Sequence, residues 1–348
     1  MKEMIQTDKG SFYNFLTEGC RLCQQGAKMV LFITGTCDRG CFYCPLSEDR
    51  KRDTVYVNEK AVETDDDVLS EAYTMDALGT GITGGEPLLK KEKVIHYIEL
   101  LKAEFGKEHH IHLYTSIAPS KETLEALASA GLDEIRFHPP QNMWHVLKGS
   151  AYEKAVKDAK DLDIEVGFEL PSIKGVHELK DIINELGCFL NLNELEFSDN
   201  NAMELTERGF MLKNDISNAV EGSETFAREI AQYLPKMHFC SSRYKDAGQL
   251  RERLIRTAKQ TARPFDEITE DGTLLYGSIK ASDIEEVVSF LNEIGVPENM
   301  FEIGERAIEL PGWFTEENAQ ELKECGFIPS VIERYPFKDG LVVEVIPL

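Results

Sequence analysis

The run Thr36-Cys37-Asp38-Arg39-Gly40-Cys41-Phe42-Tyr43-Cys44-Pro45 places three cysteines at C-x3-C-x2-C spacing, directly after an apolar stretch at 29–33. Three thiolates at the mouth of a buried strand can bind three irons of an iron-sulfur cube and leave the fourth without a protein ligand. An iron with an open position can take a substrate or cofactor as ligand, so the spacing points to chemistry and not only to electron transfer. Zinc is the plainer alternative, but zinc sites generally use C-x2-C pairs and require a fourth ligand.

Around this run, strand-like apolar segments alternate with amphipathic helical ones about six times. Strands are expected at 28–34, 78–83, 110–115, 134–138, 165–170 and 195–198. Helices are expected at about 59–76, 91–105, 121–130, 151–162, 176–186 and 224–234. Such alternation predicts a parallel sheet. The polar clusters stand at the C-terminal ends of the strands, the face on which β/α barrels assemble their sites. The expected fold is α/β: a partial (β/α)6 TIM-like barrel over 26–243, preceded by a segment at 1–25. Beyond 243 an Arg/Lys-rich helix at 249–262 is followed by segments at 274–279, 283–294, 301–310, 316–325 and 341–346. Their order predicts a small C-terminal α+β domain over 244–348, with helices on one side of an antiparallel sheet.

The 348 residues, 42% hydrophobic and 29% charged, have a globular composition, and no apolar run reaches the roughly 18 residues of a membrane span. The N-terminal residues carry no signal-peptide pattern, so a cytoplasmic location is expected. In a reducing compartment the eight cysteines read as thiols or metal ligands, and five of them fall within the first 44 residues. Cys188 and Cys325 lie in apolar contexts and are expected in the core. A net charge of -24, from 38 basic and 62 acidic residues, opposes non-specific nucleic-acid binding. A local patch of Arg251, Arg253, Arg256, Lys259 and Arg263 still allows a specific RNA contact, although a solvated helix face is the plainer reading.

A second motif, Gly84-Gly85-Glu86-Pro87, follows the second expected strand. Alone it reads as an ordinary βα turn. Together with the cysteine triplet it resembles the radical S-adenosylmethionine (radical SAM) superfamily, over about residues 26–240. Within that superfamily the chain is similar to an archaeal branch allied to pyruvate formate-lyase activating enzymes. The resemblance implies a [4Fe-4S] cluster on Cys37, Cys41 and Cys44 whose unique iron binds S-adenosyl-L-methionine. Reductive cleavage of that cofactor then yields a 5'-deoxyadenosyl radical that abstracts hydrogen from substrate. It also implies that Gly84, Gly85 and Glu86 face the methionine amino group and that Tyr43 lies near the adenine. Thr115, Ser116, His138, Glu169 and Ser172 are further candidates for contacts to the cofactor. An electron donor such as ferredoxin or flavodoxin is implied as a partner.

Cys20-Arg21-Leu22-Cys23 and His238-Phe239-Cys240 supply four more soft ligands. They predict either an auxiliary iron-sulfur cluster or a structural zinc that staples the N-terminal segment to the barrel's end, against unconnected thiols as the bland alternative. The substrate is open between a macromolecule, RNA or protein, and a partner glycyl-radical enzyme. A non-catalytic metal-binding barrel is the reading from a different class.

Overall fold

The computed structural model describes residues 3–337 and 340–348. It divides into two compact units, 1–73 with 77–250 and 74–76 with 251–348. The N-terminal segment is part of the first unit, where Phe12–Tyr13 pairs antiparallel with the strand Met237–Cys240.

The first unit is built on seven parallel strands: β1 (Lys28–Phe32), β2 (Gly79–Thr83), β3 (His110–Thr115), β4 (Glu134–Phe137), β5 (Glu165–Pro171), β6 (Phe189–Asn193) and β7 (Met237–Cys240). Each lies beside its predecessor, so the sheet is singly wound. A short helix, α1 (Glu18–Gln24), precedes β1. Helices α2 (Asp65–Thr74), α3 (Lys91–Phe105), α4 (Lys121–Ala130), α5 (Ala151–Asp161), α6 (Lys180–Leu186) and α7 (Ser223–Ala231) then fill the crossovers in turn. Their ends follow local chemistry. Ser120 accepts from the Thr123 amide at the start of α4, and Gly131 closes it in the left-handed conformation.

Two expectations are corrected here. The sixth strand is Phe189–Asn193 and not 195–198, where Glu196 makes only an isolated bridge to Ala219. A seventh strand, carrying His238 and Cys240, follows α7. Both segments alternate apolar and polar residues, and the pattern alone does not say which of two neighbours joins the sheet.

Parallel strands are usually apolar on both faces. In this sheet one face is apolar, with Leu31, Leu113, Phe137, Phe168, Leu192 and Phe239 all buried. The other face carries Lys28, His112, Tyr114, Arg136, Glu169, Asn191 and His238, placed by the two-residue period of the strands. This polar face is buried too. Helix α1 packs on it, and a Cβ on Gly19 would sit 2.6 Å from His112 Nδ1 and 2.7 Å from Arg136 Nη2. Glycine is what lets the helix backbone come this close.

The second unit contains β8 (Glu267–Ile268), β9 (Leu274–Lys280), β10 (Glu302–Ile303), β11 (Ile308–Leu310), β12 (Ile328–Arg334) and β13 (Val342–Pro347). They form an antiparallel sheet in the order β10-β11-β9-β12-β13, with β8 also on β9. Ile279, Leu291, Ile308, Leu310 and Leu322 are fully buried between sheet and helices, each stabilising by about 1.5–3 kcal/mol. Cys188 is buried as expected, whereas Cys325 is exposed at the end of a short helix. Among the described residues no helix is long and apolar enough to cross a membrane.

Candidate active site

The loop after β1 and the turn after β2 are joined backbone to backbone. Ile33 donates to Thr83, Gly85 to Thr34 at 2.7 Å, and Glu86 to Thr36 at 2.8 Å, which carries the β1-β2 ladder on past the sheet. A Cβ on Gly85 would lie 2.6 Å from the carbonyl oxygens of both Gly35 and Thr36. The glycine pair therefore fixes the cysteine loop to the neighbouring turn.

Around these segments lies a cavity of about 800 Å³, within the range of about 300–1,000 Å³ typical of small-molecule sites. Cys37, Cys41 and Cys44 line it together with Tyr43, Gly84, Gly85, Thr115, Ser116 and His138. Cys37 and Cys44 are exposed. The Cys37 sulfur accepts from the Arg39 amide at 3.4 Å, and Arg39 donates to the Ser116 carbonyl at 3.0 Å, tying the loop to the end of β3. Burial raises the Cys37 and Cys41 thiols, and the neighbouring cysteines add to this at each. A cationic ligand binding all three would remove that opposition. The Tyr43 phenol bonds His138 Nε2 at 2.9 Å, its backbone oxygen accepts from Asn201, and Phe42 beside it stacks on Phe210 under Arg208. Burial holds the Tyr43 phenol protonated and lowers His138, leaving that imidazole neutral.

Three candidates are placed differently from the expectation. Glu86 is 2% exposed, and its carboxylate accepts from four protein donors. Thr115 Oγ1 (2.7 Å) and the Leu88 amide (3.0 Å) reach one oxygen, and the amide and hydroxyl of Ser116 (both 2.6 Å) reach the other. A carboxylate offers about four acceptor sites, and these donors from the end of β3 and the neighbouring turns take them up. Ser172 is buried and donates to the Ser223 carbonyl, away from the cavity wall. Glu169 lies on the buried polar face, paired with Arg136 at 2.6 Å and held by Asn193 at 2.9 Å. Burial alone would raise its carboxyl, but the Arg136 guanidinium and the asparagine bonds hold it at about 2.

Sequence reasoning passed over Lys51, Asn193, Glu194, Glu196 and Lys245, all in the cavity wall. Asn193 ends a strand that was expected at 195–198, so placing that strand correctly would have found it. Lys245 pairs with Glu196 at 2.6 Å, a contact that needs the tertiary fold.

The second cysteine set converges on the buried polar face. Cys20 and Cys23 share one side of α1, and His238 and Cys240 share one side of β7. Asn191 donates to the Cys20 sulfur at 3.3 Å and Gln249 to the Cys240 sulfur at 3.4 Å. Burial raises the Cys20 thiol, but Arg136 and His238 outweigh it and hold the thiol at about 7. Burial pushes Cys240 up to about 12. A different group, His110, His112 and Glu134, brings its ligand atoms within 4.8 Å of one another. Arg136 already pairs with that glutamate and His110 stands 3.5 Å from it, while burial keeps His112 neutral against Gly19 and Gly81, so the glutamate of this group is already taken up by a cation.

The thiol triplet, the glycine-lined turn and the cavity they share define a radical SAM site, and residues 31–139 match the radical SAM superfamily. Over 97% of its length, and 94% of the relative's, the chain is 40% identical to a protein of Methanocaldococcus jannaschii that carries the provisional name of glycyl-radical enzyme activating enzyme. The chain therefore belongs to the radical SAM superfamily: it is an enzyme, and it uses a [4Fe-4S] cluster and S-adenosyl-L-methionine. Residues 272–348 match a domain family of unknown function, DUF8061.

Proposed function

We propose that the chain is an activating enzyme that abstracts hydrogen from a glycine of a partner glycyl-radical enzyme. The observation that carries this reading is the near full-length likeness to a relative so named. The exposed cysteine wall of the cavity supports it, since a backbone segment of another protein could approach there. Cys37, Cys41 and Cys44 would hold the cluster. The peptide groups of Gly84 and Gly85 would face the methionine end of the cofactor, Tyr43 its adenine, and Thr115, Ser116 and His138 its remaining polar groups. When bound and reduced, the pair supplies a 5'-deoxyadenosyl radical, the electron coming from a donor such as ferredoxin or flavodoxin. The chain's own contribution is positional. The loop-to-turn ladder fixes the thiols against the cofactor's cradle, Glu86 holds Thr115 and Ser116 in place, and His138 fixes the Tyr43 ring.

The strand order supports an open barrel of the partial (β/α)6 type, extended by β7. One helix, α1, touches β1, β2 and β3 directly, while its Cys20 meets donors from β4 and β6. An RNA substrate has less support. In the expected basic patch, Arg251 faces Glu252 and Asp271, Arg256 is paired with Asp76, and Arg263 with Asp266, Glu302 and Glu309.

The test is anaerobic reconstitution, reduction and addition of S-adenosylmethionine with the glycyl-radical enzyme of the same source organism. The expected result is 5'-deoxyadenosine together with a glycyl radical signal in electron paramagnetic resonance of the partner. Formation of 5'-deoxyadenosine with no signal in the partner overturns the activating role and leaves the enzyme class intact.

A further inference from the structure

We propose that Cys20, Cys23, Cys240 and His238 hold a second iron-sulfur cluster, buried on the polar face of the sheet. It is independent of which substrate the enzyme takes.

His238 is 3% exposed, and its ring nitrogens meet no nitrogen or oxygen partner, only the Cys20 sulfur. A buried imidazole with a nitrogen left unpaired is costly, and a metal ligand bond to that nitrogen removes the cost. Its ring lies beside Cys20, and Cys240 stands within electrostatic reach of both Cys20 and Cys23. Three N–H groups aim at the sulfurs. Asn191 and Arg136 approach Cys20 at 3.3 and 3.6 Å, and Gln249 approaches Cys240 at 3.4 Å. Hydrogen bonds to sulfur are among the means by which proteins tune such clusters. Lys28 beside Cys23, Arg136 beside Cys20 and Lys245 beside Cys240 supply positive charge against three thiolates.

Spacing favours the cube over a single zinc. A single tetrahedral zinc with bonds of about 2.3 Å would hold its sulfurs roughly 3.8 Å apart. Among the described residues neither this set nor Cys37, Cys41 and Cys44 forms a group of ligand atoms within 4.8 Å of one another. A four-iron cube takes its cysteines on separate irons and spreads them further. The second site also communicates with the cavity through one polar chain. Asn193, in the cavity wall, donates to Glu169, and Asn191 donates to both Glu169 and Cys20.

The experiment measures iron, sulfide and zinc in anaerobically purified, reconstituted full-length protein. The wild type should hold about eight iron and eight sulfide per chain, two cubes of four. Cys37→Ala/Cys41→Ala/Cys44→Ala should keep about half of this, with a reduced-cluster signal in electron paramagnetic resonance. Cys20→Ser/Cys23→Ser should lose the other half and keep the first cluster. The proposal is overturned if the wild type holds only one cube, or if zinc at one per chain persists in the triple alanine variant in place of iron. It is equally overturned if that variant, folded by circular dichroism, binds no iron. The wild-type count alone decides the matter should either variant fail to fold.

Discussion

Arg136 is 1% exposed and donates to Glu134, to Glu169 at 2.6 Å, to Tyr114 at 2.9 Å and to Thr17 at 3.0 Å. Replacing it by Met leaves two buried carboxylates without their cation, and removal of one partner from a buried pair costs about 3–5 kcal/mol. The Arg136→Met denaturation midpoint should fall accordingly, and an unchanged midpoint would refute the network. Glu169 adds a pH signature. Its folded-state carboxyl is held at about 2, below its ordinary value of 4.5. Its contribution to stability is therefore present above about 4.5 and lost as pH falls from there toward 2. Over that window Glu169→Gln should lose less stability than the wild type, measured by urea denaturation at stepped pH. The cysteine triplet was legible at this scale because ligand spacing is local. Arg136 was not, since its hydrogen-bond partners lie up to 119 residues away.

At the scale of elements, the joint between the cysteine loop and the glycine turn is the part most open to a single change. An Ala at position 85 would drive its methyl into the carbonyls of Gly35 and Thr36 and part the two segments. Overpacking of this kind costs about 1–3 kcal/mol. Gly85→Ala should fold with reduced stability and retain less iron on the first cluster, whereas Glu86→Gln should retain it better. Iron analysis after gel filtration separates the two, and equal retention would refute the role given to the joint. Five of the six expected parallel strands were readable from the pattern because each ends in a chemically marked turn. The sixth was misplaced by a few residues because Phe189–Asn193 and 195–198 alternate alike and only pairing with β5 and β7 selects between them. The buried polar face was written in strands such as His110–Thr115, yet alternation ordinarily signals a wet face, and only the packing of α1 on it shows otherwise.

For the whole molecule, the charge of -24 and the ion pairs of Arg251, Arg256 and Arg263 predict no salt-sensitive association with bulk transfer RNA. A filter-binding titration at low and physiological salt checks this, and micromolar binding that weakens with salt would restore the RNA reading. The C-terminal unit is an antiparallel sheet with helices, and its match is to a domain family without an assigned role.

The sheet of that unit ends on an open strand. At the margin of its sheet β13 presents Val342, Val343, Val345 and Ile346, each 45–53% exposed. A strand with apolar residues on both faces and one unpaired side is a template for strand addition from another molecule, and here Glu344 is the only charge among Val342–Pro347 to discourage it. Long-range repulsion between like-charged copies is what keeps such edges apart, and at 0.1 M salt it is screened over about 10 Å. Colloidal behaviour follows from this: concentrated solutions should stay clear in dilute buffer and grow oligomers as ionic strength rises.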